Sequence, residues 1–423
     1  MLQITTLREH KQAVIDALTI KNFNATEIIE TVITLDDKRK ELKGSLDAIL
    51  TEANKIAKEI GILYKTGRAQ EANEQKAKSA QLKTHSKETE EKLHQVEQQL
   101  EAALLEIPNV PHPSVKPGKS DADNEVLYEE GTIPSLGEEA LPHWELASKY
   151  QIIDFDLGAK VTGAGFPFYR GKGARLQRAL INFFLDRAIA AGYLEYQPPL
   201  LINEDSGHGT GQLPDKEGQM YHVGAHNLFL IPTAEVPLTN IYRNKILKME
   251  DFPIKNVAYS SCFRREAGSY GKEVRGLNRL HQFDKIEIVQ VRHPETSYDA
   301  LEEMKDYVAT LVRDLELPFR ILRLCGGDLS FTSALTYDFE VYSAGQKRWL
   351  EVSSVSNFEA FQSQRMKLRF KDHEGKSQLA HTLNGSALAL PRIVAALLEN
   401  NQTPQGIRIP EALVPYTGFN LLT

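Results

Sequence analysis

Eleven residues between positions 28 and 63 fall on one seam: Ile28, Val32, Leu35, Arg39, Leu42, Leu46, Ile49, Ala53, Ile56, Ile60 and Leu63. Their spacing alternates between four and three, and Arg39 is the only charged member. This is heptad spacing, a helical stripe that has to be covered by another helix. A weaker seam returns through Ala72, Gln75, Ser79, Leu82, Ser86, Thr89, Leu93, Val96, Leu100, Ala103 and Ile107, and Gly61 and Gly67 bracket the expected turn. The pattern predicts an antiparallel α-helical coiled-coil hairpin over about 27–107. Roughly 36 residues per helix at ~1.5 Å each give an arm about 54 Å long. Residues 7–18 read as a short helix ahead of it.

Charge is segregated along this arm. Residues 54–87 carry eight basic and three acidic side chains, a net +5; residues 88–107 carry six Glu and one Lys, a net −5. Lys55, Lys58, Lys65, Arg68, Lys76 and Lys78 crowd the expected tip. A solvated coiled-coil surface accounts for such residues, and so does a tip that meets a phosphate backbone. With Tyr64 as its one aromatic, the tip would read shape and backbone rather than stack on unpaired bases. Four prolines between 107 and 118 cannot continue a helix and mark the expected boundary between domains 1–110 and 111–423.

The whole chain, 423 residues with 41% hydrophobic and 25% charged, has room for two domains with buried cores. A net charge of −7 argues against non-specific coating of nucleic acid, though it says nothing about a local patch. Two cysteines, Cys262 and Cys325, are too few for a disulfide framework or a four-cysteine zinc site. In their apolar contexts they read as buried thiols of a reducing cytosol. There is no signal-like N-terminus and no apolar run near the ~20 residues of a membrane span, so a cytoplasmic protein without membrane contact is expected.

In the second domain, residues 171–191 are amphipathic with Gly192 just beyond, and 193–197 read as a strand halted by Pro198 and Pro199. Residues 208–214, with Gly209 and Gly211, read as a loop. Helix is expected over 301–315, strand over 318–324, and a hairpin over 337–355 that turns at Ala344 and Gly345. Strands over 257–264 and 279–291 enclose a loop with Gly268, Gly271, Lys272, Arg275 and Gly276. Arg264, Arg265 and Arg279 sit at the strand ends, where guanidinium groups can grip phosphate through paired hydrogen bonds. Phe283 offers a flat apolar face, and Glu266 and Glu287 offer acceptors. A charged surface hairpin has the same composition. Thr233, Ala234 and Glu235 lie between Pro232 and Pro237. A hydroxyl and a carboxylate held together suit a small ammonium-bearing ligand; a helix capped by Thr233 accounts for them equally.

The order Phe263-Arg264-x-Glu266, Arg279-x-His281-Gln282-Phe283, then Glu287 closely resembles motif 2 of the class II aminoacyl-tRNA synthetases in its seryl form. The helix, strand and prolines of 171–199 resemble motif 1, and 384–399 resemble motif 3. The Pro-rich connection after a helical hairpin is similar to the layout of seryl-tRNA synthetases of bacterial type. The resemblance implies an α+β fold in which the arm precedes an antiparallel β-sheet catalytic domain flanked by helices. It implies activation of L-serine with ATP and Mg2+, transfer of serine to tRNA(Ser), with tRNA(Sec) a further candidate, and a homodimer built on motif 1. By position, Thr233, Ala234, Glu235, Glu287 and Ser386 would hold serine. Arg264, Arg265, Glu266, Arg279, Phe283, Glu351, Val352, Ser353, Ser354 and Arg392 would hold ATP, with Arg264, Arg279 and Arg392 catalytic. A carboxylate and a hydroxyl, Glu351 and Ser354, suit Mg2+. The arm would cradle the tRNA's variable arm.

Three departures from the family pattern stand out. Arg265 replaces a small polar residue and is expected to face away from Arg264. Ala387 and Pro391 occupy glycine positions, and Pro391 is expected to delay the motif 3 helix by one turn. Glu340 reads as a solvated strand position rather than a further ligand. A ligase acting on a carrier protein and a non-catalytic coiled-coil adaptor are the alternative readings.

Overall fold

The computed structural model describes residues 1–137, 140–266 and 275–423. Gly268, Gly271 and Lys272 lie outside the described residues. The chain forms two units, one of Met1–Thr19 and Phe23–Pro108, the other of Ile20–Asn22 and Asn109–Thr423.

The first unit is helical: α1 (Ile4–Glu9), α2 (Lys11–Thr19), α3 (Thr26–Lys65) and α4 (Ala69–Leu105). Residues 7–18 are thus two short helices rather than one. Every seam position of α3 and α4 is buried or half-buried, whereas Lys55, Lys58, Lys65, Arg68, Lys76 and Lys78 are exposed. The turn takes only Thr66, Gly67 and Arg68, with Gly67 at φ +75°. Gly61 does not bracket it, because α3 runs through that position. A mid-helix glycine costs about 1 kcal/mol relative to alanine, too little to end a helix whose seam continues on both sides. Arg39 belongs in the seam because Asp36, one turn earlier, is 1% exposed and needs partners. Arg39 and Lys40 of α3 and Arg8 of α1 supply them at 2.7–2.8 Å.

The second unit is built on eight strands: β1 (Glu125–Glu130), β2 (Leu194–Tyr196), β3 (Ile254–Phe263), β4 (Gln282–Arg292), β5 (Phe319–Arg323), β6 (Leu335–Ser343), β7 (Arg348–Asn357) and β8 (His381–Ala389). They form one sheet in the order β1-β5-β6-β7-β8-β4-β3-β2. All neighbours are antiparallel except β2 and β3. The principal helices are α5 (His143–Lys149), α6 (Lys172–Ala190), α7 (Glu204–Thr210), α8 (Glu235–Asn240), α9 (Ser297–Asp314), α10 (Phe361–Met366) and α11 (Leu390–Asn400). Phe183 and Phe184 of α6, Met304 of α9 and Leu397 and Leu398 of α11 share one apolar core with Ile286 and Ile288 of β4. Because strand residues alternate faces, this places Lys285, Glu287 and Val289 on the other side. There Val289 packs with Ala234 and Leu238 beside α8. Burying one face of β4 thus fixes which side chains line the site on the other.

α6 ends as expected, with Gly192 at φ +85° just past it. The loop reading of 208–214 holds only from Gly211, since His208, Gly209 and Thr210 close α7. The expected delay in the motif 3 helix is not found. α11 starts at Leu390, directly after β8, with Pro391 in its first turn. Proline lacks an N–H that is unsatisfied in a first turn anyway, so it fits there without displacing Arg392.

Candidate active site

A buried polar cluster forms where β4 and β8 meet α8 and α10. Thr233 and Glu235 are 5% and 7% exposed, and Glu287 is 2% exposed. The Thr233 hydroxyl donates to Glu287 Oε2 at 3.0 Å and accepts from the Glu235 N–H at 3.2 Å. Thr233 is not the cap of α8, since Ala234 takes that position without a side-chain cap bond, but its hydroxyl lies against the first helical N–H and joins a carboxylate cluster. Gln362 of α10 donates to Glu235 Oε1 at 2.6 Å and to the Thr210 carbonyl at 3.1 Å. Lys285 forms an ion pair with Glu287. Burial, and then the charge of Glu287, push the Glu235 carboxyl up to about 7. Two buried carboxyls with one lysine, paired to Glu287, leave room for a further positive charge, which a small ammonium ion would supply. Ser386 stands opposite Glu287 across β8 and β4, and Ala234 is fully buried beneath the pocket.

The arginine hairpin lies at the other end of the same strand. Phe283 and Glu287, four residues apart on β4, are about 13 Å apart along it. The Arg264 guanidinium lies 5.4 Å from the centre of the Phe283 ring. Arg279 pairs with Glu266 at 2.9 Å. Gln219 holds the connecting backbone, its carbonyl accepting from the Arg265 N–H and its side-chain oxygen from the Glu266 N–H, at 2.9 and 3.0 Å. Arg265 is exposed while Arg264 is half-buried. Arg392, in the first turn of α11, donates to the carbonyls of Asn278 and Glu351 at 3.0 and 2.8 Å.

On β7, Glu351 and Ser354 are three residues apart, a spacing that puts side chains on opposite faces of a regular strand. A bulge resolves this: Phe339 pairs with Ser353 while the next residue, Glu340, pairs with Glu351. The extra residue is Val352, which is buried, as is Ser353, whose hydroxyl donates to the Ser386 carbonyl at 2.5 Å. Their side chains are thereby committed to the protein. Asp338, opposite Ser354, joins Glu351 on this face. Burial, the nearby Glu351 carboxylate and other acidic neighbours push its carboxyl well above the usual range, against a hydrogen bond from Ser354. Its Oδ1 is buried without a hydrogen-bond partner. Glu340 pairs with Arg320 at 2.5 Å.

Sequence reasoning missed Gln219, Lys285, Asp338 and Gln362. Lys285 had a usable signal, since it stands two residues from Glu287 and so shares its strand face. Asp338 had a weaker one, a carboxylate in a strand of apolar residues. Gln219 and Gln362 act through partners distant in the chain and give no local signal.

An eight-stranded, largely antiparallel sheet with arginines at a strand-loop-strand hairpin and at the strand-to-helix passage behind it is the core of a class II aminoacyl-tRNA synthetase. The family model described as tRNA synthetase class II core domain (G, H, P, S and T) matches residues 221–401. A prolyl-tRNA synthetase of Giardia lamblia, 16% identical, shares the fold over 65% of this chain and 57% of its own, at a TM-score of 0.57. The Seryl-tRNA synthetase N-terminal domain model matches residues 1–111. A serine–tRNA ligase of Salinibacter ruber is 49% identical over 99% of this chain and 98% of its own. The seryl-tRNA synthetase of Pyrococcus horikoshii, solved in complex with ATP, is 33% identical with a TM-score of 0.90 over 100% of this chain and 99% of its own. The chain belongs to the seryl-tRNA synthetase family.

Proposed function

We propose that this protein is a serine–tRNA ligase that activates L-serine with ATP and transfers it to the 3′ end of tRNA(Ser), with tRNA(Sec) a second acceptor to be tested. The observation that carries this reading is the Thr233, Glu235 and Glu287 cluster, whose Glu287 shares β4 with Phe283, the ring that Arg264 overlies. Glu235 and Glu287 receive the serine ammonium. Thr233 and Ser386 stand where a small hydroxylated side chain is recognised. Alanine would leave buried polar groups unpaired, and such sites reject the missing hydroxyl by up to about 10⁴-fold. Phe283 stacks on adenine, Glu266 reads its amino group, and Arg264 holds the α-phosphate. Arg279 and Arg392 hold the γ-phosphate.

The serine carboxylate oxygen attacks the α-phosphorus in line, a P–O bond forms, and the bond to pyrophosphate breaks. The protein contributes orientation of two bound reactants and fixed positive charge around the phosphates. A ribose hydroxyl of the terminal adenosine then attacks the seryl carbonyl, and AMP leaves. Glu351, Ser354 and Asp338 fit Mg2+: they are hard oxygen donors, and the orphaned Asp338 oxygen beside a second carboxylate is a site that a divalent cation would stabilise. Bound with the nucleotide, Mg2+ supplies charge neutralisation at the phosphates. Among the described residues no group of three or more His, Cys, Asp or Glu could hold a metal ion.

We also propose a cytoplasmic homodimer with domains at 1–110 and 111–423, the exposed arm lysines meeting the tRNA backbone. No described helix is long and apolar enough to cross a membrane, and both cysteines are free and buried. Ile189 at the end of α6, Leu194 on the edge strand β2, and Leu200 and Leu201 beyond it are exposed apolar side chains around the motif 1 passage. Serine-dependent ATP–pyrophosphate exchange tests the central reading. The wild type is expected to exchange with serine, and Arg264→Ala to lose at least about 10²-fold in kcat/KM, the scale for removing a charge stabiliser. No exchange with any amino acid would favour the adaptor, and exchange without transfer to tRNA would favour a carrier-protein ligase.

A further inference from the structure

A buried cluster outside the reactant pockets joins two segments that carry ATP arginines, the stretch 277–279 and α11, to α5 and the turn at 343–346. Its centre is Glu399, in the last turn of α11, seven residues after Arg392 and fully buried. Glu399 accepts from the His143 N–H at 2.9 Å, His143 Nδ1 at 2.7 Å, the Gly345 N–H at 3.0 Å and Gln346 Nε2 at 3.0 Å. The Ser343 hydroxyl also donates to it. Burial pushes this carboxyl up, but these donors, His143 foremost, hold it below its ordinary value.

His143 is also fully buried, and its Nε2 accepts the Leu277 N–H at 2.8 Å. A backbone N–H can only donate, so Nε2 carries no proton and Nδ1 donates to Glu399. The ring is neutral and fixed in one tautomer. Gly276 is at φ +68°, and a Cβ there would stand 2.2 Å from His143 Nε2. Only glycine lets the hairpin backbone approach the ring this closely. The next residue but one, Asn278, donates from Nδ2 to Gln346 Oε1 at 2.9 Å, and its carbonyl accepts Arg392 Nε at 3.0 Å. Arg279 follows directly.

We infer that His143, Glu399 and Gln346 are positioning residues for ATP: through Leu277 and Asn278 they aim Arg279 and Arg392, without touching either substrate. Serine is held by Thr233, Glu235 and Glu287, none of which contacts this cluster through a described hydrogen bond. The two substrates should therefore respond differently to its loss. This inference rests on the reading of Arg279 and Arg392 as phosphate ligands.

The test is serine-dependent pyrophosphate exchange by the full-length protein carrying His143→Ala, Gly276→Ala or Gln346→Leu. Gln346→Leu leaves the His143–Glu399 pair intact and serves if His143→Ala does not fold. The ATP KM is expected to rise about tenfold, the scale of one lost buried hydrogen bond, with the serine KM within about twofold. ATP and serine constants that move together with a lowered Tm, or that both stay put, overturn the positioning role. A wild type that fails to exchange at all overturns the functional reading and this inference with it. Normal wild-type exchange with unshifted ATP constants in the variants overturns this inference alone.

Discussion

At Glu235 two demands oppose each other. The proposed binding of an ammonium ion calls for a carboxylate, and the buried site favours the acid, with the carboxyl pushed up to about 7 first by burial and then by Glu287. A carboxyl raised in the fold binds its proton over a pH range where the unfolded chain has lost it. Its contribution to stability is therefore present below about pH 4.5 and declines as pH rises toward about 7. Serine binding runs the other way, since only the ionised form attracts the ammonium. The serine KM is expected to rise as pH falls from 8 to 6, up to about tenfold per unit once below the pKa, while the ATP KM changes little. Glu235→Gln should remove this dependence and weaken serine binding throughout; a variant that keeps the same pH profile would show that another group titrates. That Thr233 and Glu235 stand together was legible from their spacing, and the structure brings Glu287 to them. Gln362, which touches Glu235 from 127 positions away, was not, because a contact of that range leaves no local pattern. The place of Asp338 beside Glu351 depends on a bulge, and a one-residue shift in pairing is invisible in a single strand.

Among the elements, α3 and α4 were the most legible, because one period governs some forty residues and a misplaced residue would break it. Their ends were less so. Gly61 looked like punctuation, yet the seam on both sides of it outweighs one glycine. The charged seam position Arg39 is explained by Asp36, which the pattern left aside and which α1 helps to cover. Burial pushes the Asp36 carboxyl up, but hydrogen bonds from Lys40, Arg39 and Arg8 outweigh it and hold it down at about 2. A carboxyl depressed in the fold stabilises above its unfolded pKa, so this contribution is complete above about pH 4 and lost as pH falls toward 2. Asp36→Asn is expected to destabilise the arm by about 1–2 kcal/mol at pH 7, a modest figure because Arg8, Arg39 and Lys40 stay partly in water. Circular dichroism melts should show that difference at pH 7 and its disappearance near pH 2. An equal gap at both pH values would mean that shape, not charge, makes Asp36 necessary. The motif 3 helix teaches a related lesson. Pro391 looked like an obstacle, but its tolerance depends only on where the first turn falls, and β8 delivers the chain so that α11 begins one residue before it.

For the whole molecule, the proposed roles divide by sequence: every residue proposed to touch serine or ATP lies in 233–392, and every proposed tRNA lysine or arginine lies in 55–78. That division was legible because a heptad stretch and a proline-rich stretch differ so sharply in composition. The strand order was not, since pairing β4 with β8 and β1 with β5 joins segments far apart in the chain. If the division is functional, removing 54–87 and rejoining α3 to α4 through a short turn should separate the two half-reactions. The deletion removes a net +5 from a chain of net −7 and leaves −12, so any remaining long-range attraction for a polyanion turns to repulsion. Serine-dependent pyrophosphate exchange should stay within about twofold of wild type, and tRNA charging should fall by 10²-fold or more in kcat/KM, on the scale of several lost phosphate contacts. Salt gives an independent check. Replacing Lys55, Lys58 and Lys65 by Gln should lower the slope of log affinity for tRNA against log salt by about one for each lysine that meets a phosphate. An unchanged slope would place the tRNA elsewhere on the molecule, and equal losses of exchange and charging in the deletion would show that the arm is needed to build the active site rather than to hold the nucleic acid.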